Sequence, residues 1–178
     1  MLEGLYQKYT ETVSPAVVSA NYSTIVGFLE EVNNRGSKIV ADLGSGVSSM
    51  AIAHATNVDK IYSVDGLEEW LKKSEQFVAD NVGLNEKQEF ILWEDWKDLD
   101  VQYDFIFYDM FRTPDRIKYM DNITQRLTKG GYILFDDCHK KGIYAEMQTM
   151  IERYNLTYIK KMLPKDEFGR WSELYVKN

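Results

Sequence analysis

The chain has 178 residues, 44% of them apolar and 28% charged, which fits one soluble globular domain with a sizeable core. A net charge of -7 and a pI near 4.9 repel phosphate backbones, which argues against nucleic acid as a partner, and the lysine pairs Lys140-Lys141 and Lys160-Lys161 are weak basic patches. The single cysteine, Cys138, excludes an internal disulfide and suits a reducing cytosol, and no apolar run approaches the ~18 residues of a membrane helix.

The opening MLEGLYQKYTETV has neither a basic end nor an apolar core, so it does not read as a signal peptide, and a cytoplasmic location is expected. Residues 1–13 are expected to serve at most as a lid. Ser14-Pro15 then reads as a helix start, with Ser14 as N-cap and Pro15 in the first helical position. Val17, Val18, Ile25, Phe28, Leu29 and Val32 follow at helical spacing, and Asn33-Asn34-Arg35-Gly36 ends the run. A strand is expected from Lys38 to Leu43, a helix over 48–56, a strand over 60–65, and an amphipathic helix over 67–81 with Leu67, Trp70, Leu71, Phe77 and Val78 on its apolar side. Strands over 88–93 and 103–109, a helix over 113–127, a strand from Gly131, a helix over 144–154 and two final strands, 156–162 and 170–176, complete the chain. A loop containing Pro164 and Gly169 joins the last pair, and it is a second candidate lid. This alternation predicts an α/β fold of Rossmann-like, doubly wound type: a mostly parallel sheet, helices on both faces, and an antiparallel strand from the terminal hairpin.

In such sheets ligands bind beyond the carboxyl ends of the strands. Those ends read Asp42-Leu-Gly-Ser-Gly46, Asp65-Gly66, Trp93-Glu-Asp-Trp96, Asp109-Met-Phe and Asp136-Asp137, and each carries an acid. Gly44 allows a tight turn between strand and helix, and Gly46 lets backbone approach a ligand. Asp65 lies 19 positions after Gly46, where an acid can accept both ribose hydroxyls. A dinucleotide pyrophosphate would be repelled by the acid in this loop, and Ser49 stands in place of its third glycine. S-adenosylmethionine carries a sulfonium and an ammonium group there, so an acid is favourable.

With these residues the sequence resembles the class I S-adenosylmethionine-dependent methyltransferases over about residues 36–178. Asp42, Gly44, Ser45 and Gly46 look like the first motif, with Ser48 where many members have a further glycine. Asp65, with Gly66 beside it, resembles the ribose-binding acid. Asp95-Trp96 resembles the pair that flanks adenine, and Asp109 the fourth-strand acid near the methyl donor. Leu127 to Gly131 resembles the turn before the fifth strand. The resemblance implies a seven-stranded sheet. Within the family, the pattern is closest to the metal-dependent O-methyltransferases of the catechol and sugar-modifying types. Asp109, Asp136 and Asp137, 27 and 28 positions apart, fall on their metal-ligand pattern. Three carboxylates suit a hard divalent cation such as magnesium, which would bind an acceptor hydroxyl and lower its pKa. Arg112 stands three after Asp109, where the family carries its base, and arginine cannot be a base at neutral pH. His139 is then the expected proton acceptor.

The resemblance implies methyl transfer to a small hydroxylated molecule, without a membrane partner, and leaves homo-oligomer formation open. Metal-independent transfer to nitrogen, carbon or a protein side chain, or S-adenosylmethionine binding without transfer, are the alternatives. Asp136-Asp137 has a plainer reading as a helix cap with Lys140 and Lys141 as partners. His54 and Cys138 read as structural residues, and Tyr6, Tyr9 and Trp171 as packing residues.

Overall fold

The structure, a computed structural model, describes residues 2–84, 86–162 and 168–178. Seven strands are bounded as β1 (Ile39–Leu43), β2 (Lys60–Asp65), β3 (Gln88–Leu92), β4 (Tyr103–Tyr108), β5 (Leu127–Phe135), β6 (Leu156–Lys161) and β7 (Glu173–Lys177). They form one sheet in the order β3-β2-β1-β4-β5-β7-β6. β1 to β5 run parallel, and β7 pairs antiparallel with both β5 and β6, as the terminal hairpin predicts. The chain order reverses between β1 and β4, so the connections leaving their carboxyl ends turn to opposite faces of the sheet and a crevice opens there.

The helices are α1 (Leu2–Thr12), α2 (Tyr22–Arg35), α3 (Val47–Ile52), α4 (Glu68–Asn81), α5 (Trp93–Trp96), α6 (Thr113–Gln125) and α7 (Lys141–Arg153). The strands alternate apolar residues to both faces, so each face needs a helical layer. On one face Val40, Ile61, Phe105, Phe107 and Leu134 meet Ile25, Phe28, Met50 and Val78 of α2, α3 and α4. On the other, Leu43, Ile106, Tyr108, Ile133 and Phe135 meet Met120, Ile123, Met147 and Met150 of α6 and α7. Among the described residues no helix is long and apolar enough to cross a membrane.

Four local differences from the sequence pattern have physical causes. The Ser14-Pro15 start yields only a turn, closed by the Val18 N–H on Pro15 O at 2.9 Å. The chain starts its helix again at Asn21, whose side chain accepts the Thr24 N–H at 2.8 Å and so caps the new start. Val17 and Val18 therefore stay out of the core, 54% and 65% exposed. Leu67, 60% exposed, is likewise the residue before α4 rather than part of its apolar side, because the Asp65 carboxylate accepts the Leu67 N–H at 2.9 Å. The first segment is a formed helix, α1, with Tyr9 buried edge-on against Phe77 at 5.0 Å. The turn before Gly131 is already part of β5: register shifts between Tyr103 and Phe105, and Gly130 takes up the extra chain at φ 79°. Residues 164–167 of the second candidate lid lie outside the described residues.

Phe28 is fully buried between α2 and the sheet, stacked on Phe107 at 4.9 Å and tilted on Phe105 at 5.5 Å. Phe28→Ala should cost about 3–5 kcal/mol of unfolding free energy in a urea titration, because close-packed strands cannot refill the void.

Candidate active site

A cleft of about 750 Å³ opens at the switch point between β1 and β4. The loop after β1 forms one wall. The N–H groups of Gly44 and Ser45 both donate to Val64 O at 2.9 Å, which ties the loop to β2. Gly44 has φ 110°, and a Cβ there would stand 2.9 Å from the backbone of Asp109, so no other residue fits without displacing the opposite wall. A Cβ on Gly46 would meet the Tyr9 hydroxyl at 3.2 Å, so α1 lies directly against the glycine loop. Asp65 closes this side, its carboxylate 3.5 Å from Ser45 Oγ. Burial raises the Asp65 pKa, and the Leu67 N–H holds the rise back.

Asp42 does not line the cleft. It is fully buried beneath the loop, where Ser49 Oγ donates to Oδ2 at 2.5 Å and Ser63 Oγ donates at 3.2 Å. Ser49 Oγ also accepts the Gly46 N–H at 3.1 Å, so Asp42 orients the glycine loop through Ser49. Burial pushes the Asp42 carboxyl up to about 6, against the pull of the serine hydroxyls.

The opposite wall carries Asp109, Asp136 and Asp137, brought together because Tyr108 of β4 pairs with Phe135 of β5. They surround a side chain the sequence pattern did not single out. Arg116, in the first turn of α6 and 4% exposed, donates from Nη1 to Asp137 Oδ2 and from Nη2 to Asp109 Oδ1, both at 2.9 Å. Its Nε donates to Met110 O at 3.0 Å, and Nη2 also reaches Asp109 O at 2.6 Å and Phe111 O at 3.2 Å. Lys140 Nζ donates to Asp137 Oδ2, and Ser172 Oγ donates to Asp136 Oδ1. Burial raises the pKa of Asp109 and Asp136, and each is pushed further by a neighbouring aspartate. Asp137 is lowered instead: burial opposes its charge, but Arg116 and Lys140 outweigh burial. A basic residue in the first turn opposes the helix dipole, and that is the one sequence signal that Arg116 has acidic partners elsewhere.

His139 lines the cleft with Nδ1 3.7 Å from Asp137 Oδ1, and Arg112 and Trp70 line it too. Asp95 and Trp96 do not. Trp96 is fully buried, stacked on Trp93 at 5.3 Å and on Tyr103 at 5.5 Å. Gly66 faces Phe111, whose ring would stand 2.9 Å from a Cβ at that position and packs edge-on to Trp93 at 5.1 Å. Phe111 has φ 74°, a costly conformation for an aromatic residue. Among the described residues no group of three or more His, Cys, Asp or Glu side chains is arranged to hold a metal ion.

No family model matches the sequence, and no curated protein matches it either. Solved structures do match. An O-methyltransferase from Bacillus cereus in complex with SAH is 14% identical at a TM-score of 0.75, over 99% of this chain and 90% of that one. The O-methyltransferase TomG from Streptomyces achromogenes, involved in tomaymycin synthesis and solved with SAM, is 14% identical at 0.75, over 99% and 89%. The methyltransferase PaMTH1 from Podospora anserina, bound to SAH, is 16% identical at 0.77, over 99% and 88%. The chain has the fold of these methyltransferases.

The buried Asp42 gives this site a pH signature. Its folded pKa of about 6 stands above the ordinary 3.8, so the fold prefers the protonated form. The stability it contributes is fully present below about pH 4 and is lost as pH rises through about 6, by about 3 kcal/mol for a shift near two units. Asp42→Asn stays neutral throughout. Urea titrations should show the variant gaining on wild type by about that amount between pH 4 and pH 7.

Proposed function

We infer that this chain transfers a methyl group from S-adenosylmethionine to a hydroxyl of a small molecule. The observation that carries the reading is the pairing of the Gly44-Ser45-Gly46 loop and Asp65 on one wall with Asp109 on the other, across the switch point of a methyltransferase fold. The residues fit the cosubstrate. Gly44 and Gly46 keep side chains out of the loop, and the Asp65 carboxylate stands at the cleft edge where it can accept a diol. When bound, S-adenosylmethionine supplies a methyl made electrophilic by its sulfonium. The protein's part is to place a nucleophile in line with that methyl and to exclude water.

The rim of the cleft carries Val17, Val18 and Phe168, all substantially exposed, which suits an acceptor with an apolar or aromatic body. His139 is the group in the cleft suited to take the acceptor's hydroxyl proton. The divalent cation that the sequence pattern implies does not fit between carboxylates already bridged by Arg116, and no step runs through it.

S-adenosylhomocysteine should raise the melting temperature of the purified protein, since a ligand that binds only the folded state must stabilise it. Asp65→Ala should lose most of that rise. A saturating dose without effect on the wild type would sink the methyltransferase reading. His139→Gln should keep the S-adenosylhomocysteine response and lower kcat by about 10²–10⁴-fold, the usual contribution of a general base. An unchanged kcat would remove His139 from the mechanism.

A further inference from the structure

We propose that Arg116, with Lys140 beside it, takes the place of the divalent cation, so that Asp109 and Asp137 form a receptor for a guanidinium group, Asp136 is held by Ser172 next to it, and the site works without metal. Catalysis without metal rests on the methyltransferase reading; the guanidinium receptor rests on geometry alone.

An ion shared by Asp109 and Asp137 would have to sit between their carboxylate oxygens, at about 2.0–2.6 Å from each. That space holds the two terminal nitrogens of Arg116, each 2.9 Å from its carboxylate partner. The guanidinium is not a passing occupant. All three of its nitrogens donate to protein oxygens: Nε to Met110 O, Nη1 to Asp137, and Nη2 to the carboxylate and carbonyl of Asp109 and to Phe111 O. The Tyr108 hydroxyl donates to Arg116 O at 2.7 Å, which fixes the backbone from which the side chain reaches in. The third carboxylate is engaged as well, since Asp136 accepts from Ser172. Charge also balances in the same way: one arginine and one lysine supply the two positive charges that a divalent ion would bring. A planar fork matches two carboxylates as a spherical ion does, and it is never deprotonated.

Arg116 therefore does two jobs. It neutralises the acids, and it pins the carbonyls of Asp109, Met110 and Phe111, the segment in which Phe111 adopts its left-handed conformation. It is a positioning residue for the wall that faces the glycine loop.

The test is a titration of the wild-type protein with manganese, read by the electron paramagnetic resonance signal of the free ion, and with magnesium and calcium, read by melting temperature. The expected result is an undiminished free-manganese signal, no shift in melting temperature, and methyl transfer unaffected by a chelator. Stoichiometric loss of the free signal, a metal-dependent rise in melting temperature, or transfer abolished by chelation and restored by magnesium overturns the proposal. Arg116→Ala removes the occupant. It should bind manganese at least tenfold more tightly than wild type, a gain that a merely structural arginine would not produce. Arg116→Gln, closer in size and reach, makes the same test where the alanine variant does not fold, and a folded variant with no gain overturns the assignment. The wild-type arm decides without either variant. The melting response to S-adenosylhomocysteine, measured on the same samples, reports on the methyltransferase reading separately.

Discussion

A guanidinium buried among three carboxylates, at the carboxyl ends of two neighbouring parallel strands, sets the shape of the cleft. β4 and β5 are in register through Tyr108 and Phe135, and the Asp136 N–H donates to Tyr108 O at 3.2 Å, so Asp109 and Asp136 emerge side by side. Like charges that close, and largely out of water, would not persist without a counter-charge. Arg116 supplies it from the first turn of α6. Removing one partner from such a buried pair leaves an uncompensated charge, typically at a cost of about 3–5 kcal/mol. Two unfavourable backbone conformations, at Phe111 (φ 74°) and Asp137 (φ 59°), lie within this cluster and are held by it. Aspartate tolerates the left-handed region; phenylalanine does so only under constraint.

The same cluster is coupled to the glycine loop by contact rather than by charge. The Asp109 N–H donates to Leu43 O at 2.8 Å, and Gly44 lies so close to the Asp109 carbonyl that a methyl group would not fit between them. The two walls of the cleft are therefore one unit. Beneath them Asp42 holds Ser49, and Ser49 holds the Gly46 N–H. Above them Tyr9 of α1 covers Gly46. The first helix is thus part of the loop's environment and not a loose appendage, and the strict requirement for glycine at position 44 comes from the opposite wall rather than from the turn alone.

How much of this the sequence disclosed follows from the range of the interactions. Strand ends were legible, because apolar runs of strand length stop at acids and each such stop fell where the sheet ends. The mostly parallel sheet, the terminal hairpin and the gathering of Asp109, Asp136 and Asp137 followed from that, while the strand order came only with the structure. Local competitions were harder. Ser14 and Asn21 are both good caps seven residues apart, and the cap on Thr24 together with the packing of Phe28 against β4 favours the second. Trp96 looked like a wall for a ligand because an aromatic beside a strand end is ambiguous, and the stack on Trp93 and Tyr103 takes it into the core. Arg116 was the least legible of all. Six residues of loop and helix separate it from Asp109, and its other carboxylate partner, Asp137 beyond β5, is more distant still. Its sole local trace is a cation at the wrong end of a helix dipole.

The acids at the strand ends thus have different fates, and the difference points to what the cleft can accept. Asp42 is enclosed and serves the loop. Asp137 is held ionised by two cations, while Asp136 is engaged by Ser172 and Asp109 by Arg116. Asp65 stands apart: its donors are the Leu67 and Gly66 N–H groups and, at 3.5 Å, a serine hydroxyl, and no cation compensates it among the causes that shift its pKa. Negative field is therefore spent internally at the β4 and β5 ends and left available at the β2 end. A ligand that brings hydroxyl donors to Asp65 meets an acceptor with capacity to spare. At the other end of the cleft, a divalent cation would have to displace a guanidinium whose three nitrogens are all engaged. On the proposed methyltransferase reading, a nucleoside lies on the β2 side and the β4 and β5 side orients an uncharged hydroxyl.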